Sequence, residues 1–272
     1  DMEGGIATEQ GDGLTALVAE LRAGLPASAQ LSFYSMCLVD DGHGHGLNAY
    51  PGYQMAALEQ HIDFFFASCY GVCQSISPTP HRPTDPPGVA MSCAPLPQIE
   101  ASMQVYPAPK SKIVLGLPWY AYDFVCANGT APTQRLCNAT ADYEGHFSYL
   151  GTLSVLANGS TPKYRGLAVS TVGPQYDPRS GSPWFNFVNE SDRTVHQVWY
   201  EDPVSLGEKY QMAAKLELRG VGFYCASGSW PDRVMGSDAA IAAMWASVRE
   251  NFLQQPGQPA LAAHSDHHTG SV

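Results

Sequence analysis

Positive charge is scarce in this sequence. Lys and Arg number 14 against 25 Asp and Glu, for a formal charge of −11 over 272 residues. An acidic surface poor in cations argues against binding nucleic acid or anionic membranes. Long apolar runs are also missing. No window holds about 18 uninterrupted apolar residues, so no transmembrane helix is expected. There is no Gly-rich phosphate loop, no C-x-x-C and no G-x-S-x-G. Those absences remove the usual signatures of nucleotide binding, dithiol chemistry and serine hydrolysis. Asparagine is rare, yet four of the seven sit in sequons: Asn128-Gly-Thr, Asn138-Ala-Thr, Asn158-Gly-Ser and Asn189-Glu-Ser.

What is present builds a core. The chain is 44% hydrophobic and 11% aromatic, enough for one large domain or two small ones. The seven cysteines are Cys37, Cys69, Cys73, Cys93, Cys126, Cys137 and Cys225. With the sequons they favour an oxidising, glycosylating compartment. Cys126 and Cys137 close a short loop, and Cys73 with Cys93 is a second candidate pair. The odd count leaves one thiol over, or a partner outside this chain.

Leu14, Leu17, Val18, Leu21 and Leu25 recur at helical spacing, so residues 13–25 read as an amphipathic helix. L-S-F-Y-S-M-C (31–37) is β-like, and a short helical stretch lies around 55–60. I-D-F-F-F-A-S-C-Y (62–70) and K-I-V-L-G-L-P-W-Y (112–120) are apolar runs of buried-strand length. Between them, the proline-rich 74–97 is loop and 99–105 is helical. Residues 127–195 hold all four sequons and much Gly, Pro, Ser and Thr. They read as an inserted subdomain or a set of long surface loops. H-Q-V-W-Y (196–200) is a strand. Asp202 and Pro203 then suit the N-cap and N1 of a helix that Gly220 is placed to stop. V-G-F-Y-C-A-S (221–227) is a strand, and Ser237 caps a last helix with Ile241, Met244, Trp245, Val248 and Phe252 on one face. From Gln254 the tail lacks a folding pattern and is expected to be disordered.

Alternating helices and buried-type strands predict a parallel α/β fold. Strand ends rich in Tyr, Trp, Asp and Glu suit a TIM (β/α)8 barrel, whose chemistry sits at the C-terminal strand ends. Only about four barrel strands can be counted. The opening Asp1-Met2-Glu3 reads as the end of a further strand whose body lies outside this sequence, as in a fragment of a longer product.

These residues, in this order, resemble family 18 glycoside hydrolases, and within them the di-N-acetylchitobiase branch. That family ends its fourth strand with D-G-x-x-x-D-x-E, and Asp1-Met2-Glu3 matches the final D-x-E. D-F-F-F-A-S-C-Y (63–70) resembles the sixth strand, G-L-P-W-Y-A-Y-D-F (116–124) the seventh, and R-G-V-G-F-Y (219–224) the eighth. H-Q-V-W-Y-E-D-P (196–203) is the most specific match, resembling the lead into the seventh barrel helix. The resemblance implies the C-terminal part of a barrel, about strands four to eight, over 1–253. An insertion at about 127–195 follows strand seven, and 254–272 is tail.

It also implies hydrolysis of β-1,4-linked N-acetylglucosamine oligomers, such as chitobiose or the N-glycan core. Catalysis in this family is retaining and substrate-assisted, using the sugar's own acetamide in place of a carboxylate nucleophile. By resemblance Glu3 is the general acid and base, Asp1 orients the acetamide N–H, and Tyr70 hydrogen-bonds the attacking carbonyl. Positions i and i+2 of a strand point the same way, so Asp1 and Glu3 share a face. Two close carboxylates raise the pKa of one, which suits acid work. Tyr224, Trp119, Tyr120, Tyr122, Asp123, Trp199 and Tyr200 are the expected sugar contacts, with Trp119 equally suited to the core. Aromatic faces bind the apolar C–H faces of sugar rings.

There are departures. Tyr224 stands where the family usually has Trp, Gly71 where it has Asp, and Ala121 where Gly is common. They leave room for a non-catalytic chitin-binding member, and an endo-acting chitinase is a further alternative. No cofactor and no metal are implied. His43, His45 and Asp40 or Asp41 in D-D-G-H-G-H-G could hold an ion, but the stretch reads as a Gly-rich loop, and His264, His267 and His268 fall in the tail. A monomer in the lysosome or outside the cell is expected, with the isolated fragment inactive.

Overall fold

A computed structural model of the chain describes residues 8–37, 39–40, 47–48, 52–71, 73, 88–139, 145–157, 167–169, 174–189, 192–224 and 237–255. The expected catalytic pair Asp1 and Glu3, the His43/His45 loop, Cys225 and the C-terminal histidines lie outside them.

The described residues form two main layers. The first is a parallel sheet of β1 (Ser32–Met36), β4 (Phe64–Ser68), β5 (Ile113–Pro118) and β12 (Gly220–Tyr224), in the order β1-β4-β5-β12. Helices α1 (Thr8–Gly24), α2 (Met55–Leu58), α3 (Leu96–Val105), α5 (Pro203–Lys215) and α6 (Ser237–Val248) cover one face. That face carries Phe65, Ala67, Ile113, Leu115 and Leu117, all buried against Leu58, Ile99, Met103, Leu206 and Met244. Two-residue strands β2 (Val39–Asp40) and β3 (Leu47–Asn48) pair with each other.

The other face alternates in register with the first: Tyr34, Phe66, Gly116, Gly222 and Tyr224. Its two glycines are steric necessities, because the Phe66 ring lies across both. A Cβ at Gly116 or Gly222 would approach that ring to 2.5 Å. The sequence predicts strands buried on both faces. Instead, Tyr34 and Tyr224 are exposed and Phe66 is half-buried, since no described element packs over this face.

The second layer is antiparallel. β6 (Tyr120–Val125), β7 (Gly145–Ser148), β8 (Leu167–Val169), β10 (Ser182–Asn189) and β11 (Val195–Trp199) run in the order β7-β6-β11-β10-β8, with β9 (Gln175–Asp177) on β10. α4 (Tyr149–Leu156) follows β7, its N-terminus capped by Ser148, whose Oγ accepts from the Gly151 N–H. So 116–124 is not one strand. The chain leaves the parallel sheet at Trp119, whose ring turns to the helix layer and stacks on Phe223 at 4.3 Å. Among the described residues, 127–195 hold β7, α4, β8, β9 and β10, and the sheet containing these strands begins at Tyr120 and ends at Trp199.

α5 starts as predicted. The Asp202 carboxylate accepts from the N–H groups of Val204 and Ser205, and Ser205 Oγ accepts from the Asp202 N–H. It stops earlier than predicted, at Lys215, because Glu217 takes a left-handed φ of 55°. Leu218 N–H then bonds Ala213 C=O and Glu217 N–H bonds Ala214 C=O, which is a Schellman close. Gly220 instead opens β12.

Three disulfides form among the described residues: Cys37–Cys69, Cys73–Cys93 and Cys126–Cys137. The last two are the pairs the spacing suggests; the first ties the ends of neighbouring strands β1 and β4.

Candidate active site

Three strands deliver tyrosines to the C-terminal edge of the parallel sheet. Tyr70 lies just beyond β4, Tyr120 just beyond β5, and Tyr224 ends β12. Backbone bonds hold the three ends together: Cys69 N–H to Gly116 C=O at 2.9 Å, and Trp119 N–H to Tyr224 C=O at 3.2 Å. The Tyr70 and Tyr224 rings stack at 5.8 Å with 20° between planes. Tyr120 meets both edge-on, at 6.3 and 5.9 Å. Cys69 and Cys73 flank Tyr70, so a disulfide anchors its segment on each side.

The hydroxyls are ordered. Tyr122 donates to the Tyr70 carbonyl, and its oxygen lies 2.8 Å from Tyr120 OH, so Tyr120 donates to Tyr122. Ser68 Oγ donates to Tyr34 OH at 2.9 Å. Burial pushes the Tyr70 phenol far above its ordinary range, helped by Tyr34. It is therefore a neutral O–H, which can donate a hydrogen bond at any physiological pH. Tyr224 is 56% exposed and offers its ring to solvent.

His146 of β7 closes the cluster on the antiparallel side. It pairs in register with Tyr122, and its ring lies edge-on at 4.7 Å from Tyr122 and 4.9 Å from Tyr120. The sequence offers no periodic signal for it, because β7 has only four residues, within the stretch that reads as an inserted subdomain or long loops. Tyr34 and Ser68 are likewise missed; Ser68 lies two residues before Tyr70 in its own segment, and pairing of β1 with β4 sets Tyr34 beside it.

Of the predicted site residues, Tyr70, Tyr120, Tyr122 and Tyr224 come together, Trp199 packs buried in the same cluster, and Trp119, Asp123 and Tyr200 turn away. Trp119 is buried in the helix layer, its indole N–H donating to Tyr210 OH at 3.1 Å. Asp123 projects from the opposite face of β6 to Tyr122 and pairs with His196 Nδ1 at 3.0 Å. Trp199 is buried beside Trp184 under the Arg135 guanidinium, with its N–H on Gln197 Oε1 at 2.9 Å. Tyr200 is buried against Phe185. Trp119, Asp123 and Tyr200 go to the far side of a sheet, whereas Trp199 stands directly opposite Tyr122 on the same face and is closed off by Trp184 and Arg135. Among the described residues no three His, Cys, Asp or Glu side chains converge as a metal site would require. No described helix is long and apolar enough to cross a membrane.

The tyrosines gather at the C-terminal edge of a parallel α/β sheet, the edge at which barrel enzymes carry their sites. Residues 2–228 match glycosyl hydrolases family 18, and the chain belongs to that family. It is 32% identical to the probable di-N-acetylchitobiase 1 of Dictyostelium discoideum, over 53% of this chain and 38% of that protein. It is 30% identical to the di-N-acetylchitobiase of Mus musculus, over 43% of this chain and 31% of that protein. The chain thus spans about a third of the length of these relatives. The chitinase of Chromobacterium violaceum has a similar fold, with a TM-score of 0.62 and 20% identity over 92% of this chain and 64% of that one. So does a chitinase-like agglutinin of Robinia pseudoacacia, with a TM-score of 0.59 and 19% identity over 89% and 61%.

Proposed function

We propose that the protein is a glycosidase that cleaves β-1,4-linked N-acetylglucosamine in chitobiose and small chitooligosaccharides. The observation that carries this reading is the convergence of Tyr70, Tyr120 and Tyr224 from three strand ends of the parallel sheet, with the Tyr224 ring exposed. A glycosidic bond breaks when an acid protonates the leaving oxygen and a neighbouring group stabilises the oxocarbenium-like carbon. In our reading the substrate's acetamide oxygen closes on the anomeric carbon and forms an oxazolinium ion. Glu3 protonates the departing oxygen, then takes a proton from the water that opens the ring. Asp1 holds the acetamide N–H. Tyr70 donates its O–H to the acetamide oxygen and fixes the angle of attack, while Tyr224 and Tyr120 take the sugar faces.

The open face of the parallel sheet supports a second part of the proposal. Four parallel strands with an uncovered aromatic face suit part of an eight-stranded barrel, the remainder packing over Tyr34 and Phe66. The three disulfides support an oxidising compartment, lysosomal or secretory.

The test is N-acetylglucosamine release from N,N′-diacetylchitobiose at mildly acidic pH by the full-length gene product carrying this chain. Glu3→Gln is expected to abolish release, and Tyr70→Phe to lower kcat about 100-fold, the scale of one lost charge-stabilising donor. Release that survives Glu3→Gln would sink the assignment. The smaller Tyr224 and the Gly71 departure favour a second reading, a sugar-binding member without turnover. Binding with no release by the wild type would support it.

A further inference from the structure

We propose that His146 is a saccharide-contacting residue, supplied to the tyrosine site by the antiparallel sheet. This rests on the glycosidase reading above and adds a binding residue to that same site.

Two observations set His146 apart from the other polar groups of the second layer. First, its position is built. β7 pairs with β6 so that His146 stands directly opposite Tyr122, and its ring lies against two tyrosines whose hydroxyls lead to Tyr70. Tyr120 and Tyr122 are themselves buried, whereas His146 on top of them is exposed. Among the described residues, the exposed side chains of this cluster include Tyr34 and Tyr224 on the parallel sheet and His146 on the antiparallel one. Second, the chemistry suits a sugar. A neutral imidazole carries one N–H donor and one acceptor nitrogen, and a sugar hydroxyl both donates and accepts. Burial against the tyrosines lowers the affinity of this imidazole for a proton, so the neutral form persists further into the acid range. The other histidine of this sheet, His196, does not compete for the role: it is buried and held by Asp123 and Thr194.

A saccharide lying across Tyr224 and Tyr70 would meet His146 at its flank. There a hydrogen bond to a ring hydroxyl or an acetamide would fix the sugar's rotation on its aromatic floor. His146 moves no proton of the reaction. Its loss should raise KM and leave kcat within about twofold.

The experiment titrates N-acetylchitotetraose into the full-length protein by calorimetry, for wild type, His146→Ala and His146→Gln. A second measurement follows the imidazole Cε1–H resonance of His146, identified by its disappearance from the His146→Gln spectrum. The expected result is about tenfold weaker binding for Ala and recovery to within about threefold for Gln. The His146 resonance should shift on adding the saccharide to wild type. Unchanged affinity in the Ala variant overturns the inference, as does a resonance that does not respond to saturating saccharide. The resonance is read in the wild type, so this arm holds even if the variants fold poorly. Equal losses in both variants with equal falls in melting temperature would assign His146 a packing role only, and also overturn it. No binding by the wild type would overturn the glycosidase reading and this assignment with it. Binding without a His146 response would overturn this assignment alone.

Discussion

The most demanding single residue lies away from the tyrosines. Lys209 is fully buried, its ammonium 2.6 Å from Glu201 Oε2 and 2.8 Å from the Gly181 carbonyl. Ser182 Oγ and Ser205 Oγ each donate to Glu201 at 2.7 Å. The pair joins α5 to β10 and the end of β11, and so joins the two layers. Burial raises the Glu201 pKa, while Lys209 and the hydroxyls oppose the rise. Removing one partner of such a pair leaves an uncompensated charge and costs about 3–5 kcal/mol. Lys209→Met should therefore destabilise the protein by that amount near neutral pH, read by urea unfolding. The pH trend has a definite sign. Without Lys209, the folded-state pKa of Glu201 rises further above its unfolded value. A carboxyl so shifted favours the fold below its unfolded pKa and loses that contribution as pH rises through the folded one. The penalty should thus be smaller at pH 4 than at pH 8. The opposite trend would mean that Glu201 stays ionised without its partner.

At the scale of elements, caps decide where α5 begins and ends. Its start is readable because Asp202, Pro203 and Ser205 act through contacts within four residues. Its end is less so: Gly220 looks like the stop, but Glu217 adopts the left-handed turn three residues earlier. A Cβ in that conformation costs about 1–2 kcal/mol, partly offset in a glycine variant by greater unfolded-chain entropy. Glu217→Gly should raise stability by up to about 1 kcal/mol, visible as a higher melting temperature. A lower one would show that the Glu217 side chain makes a compensating contact. The same locality explains which strands are legible. Residues 62–70 and 112–120 announce themselves by continuous apolar runs. β7, β8 and β9 have only three or four residues each and gain their identity from partners distant in sequence. His146 could not be read for that reason.

At the scale of the molecule, two layers meet around Tyr70. Its segment is pinned by Cys37–Cys69 on one side and Cys73–Cys93 on the other. Replacing Cys37 and Cys69 together by Ala should cost about 2–4 kcal/mol, because it frees a loop spanning a sequence separation of 32. Denaturant unfolding measures that cost, and a loss under about 1 kcal/mol would mean that packing alone holds the two strand ends. The seven cysteines suggest an oxidised protein before any fold is known, and two of the pairs follow from spacing. The third requires β1 beside β4, which no local pattern reveals.

Apolar runs, caps and cysteine spacing act over a few residues, so the parallel α/β core, the start of α5 and the short disulfide loops follow from the chain read in order. The order D-x-E, tyrosine, G-L-P-W-Y and H-Q-V-W-Y likewise points to the family without coordinates. Direction in space is another matter. Tyr120 and Tyr122 face the site while Asp123 and Trp119 turn away, although all lie within five residues. The chain changes sheets at Trp119, and each side chain then goes to whichever face its new strand partners bury. Pairing between segments as far apart as β6 and β11 sets that outcome. It depends on the free energy of the whole packed arrangement, which no short stretch of sequence contains.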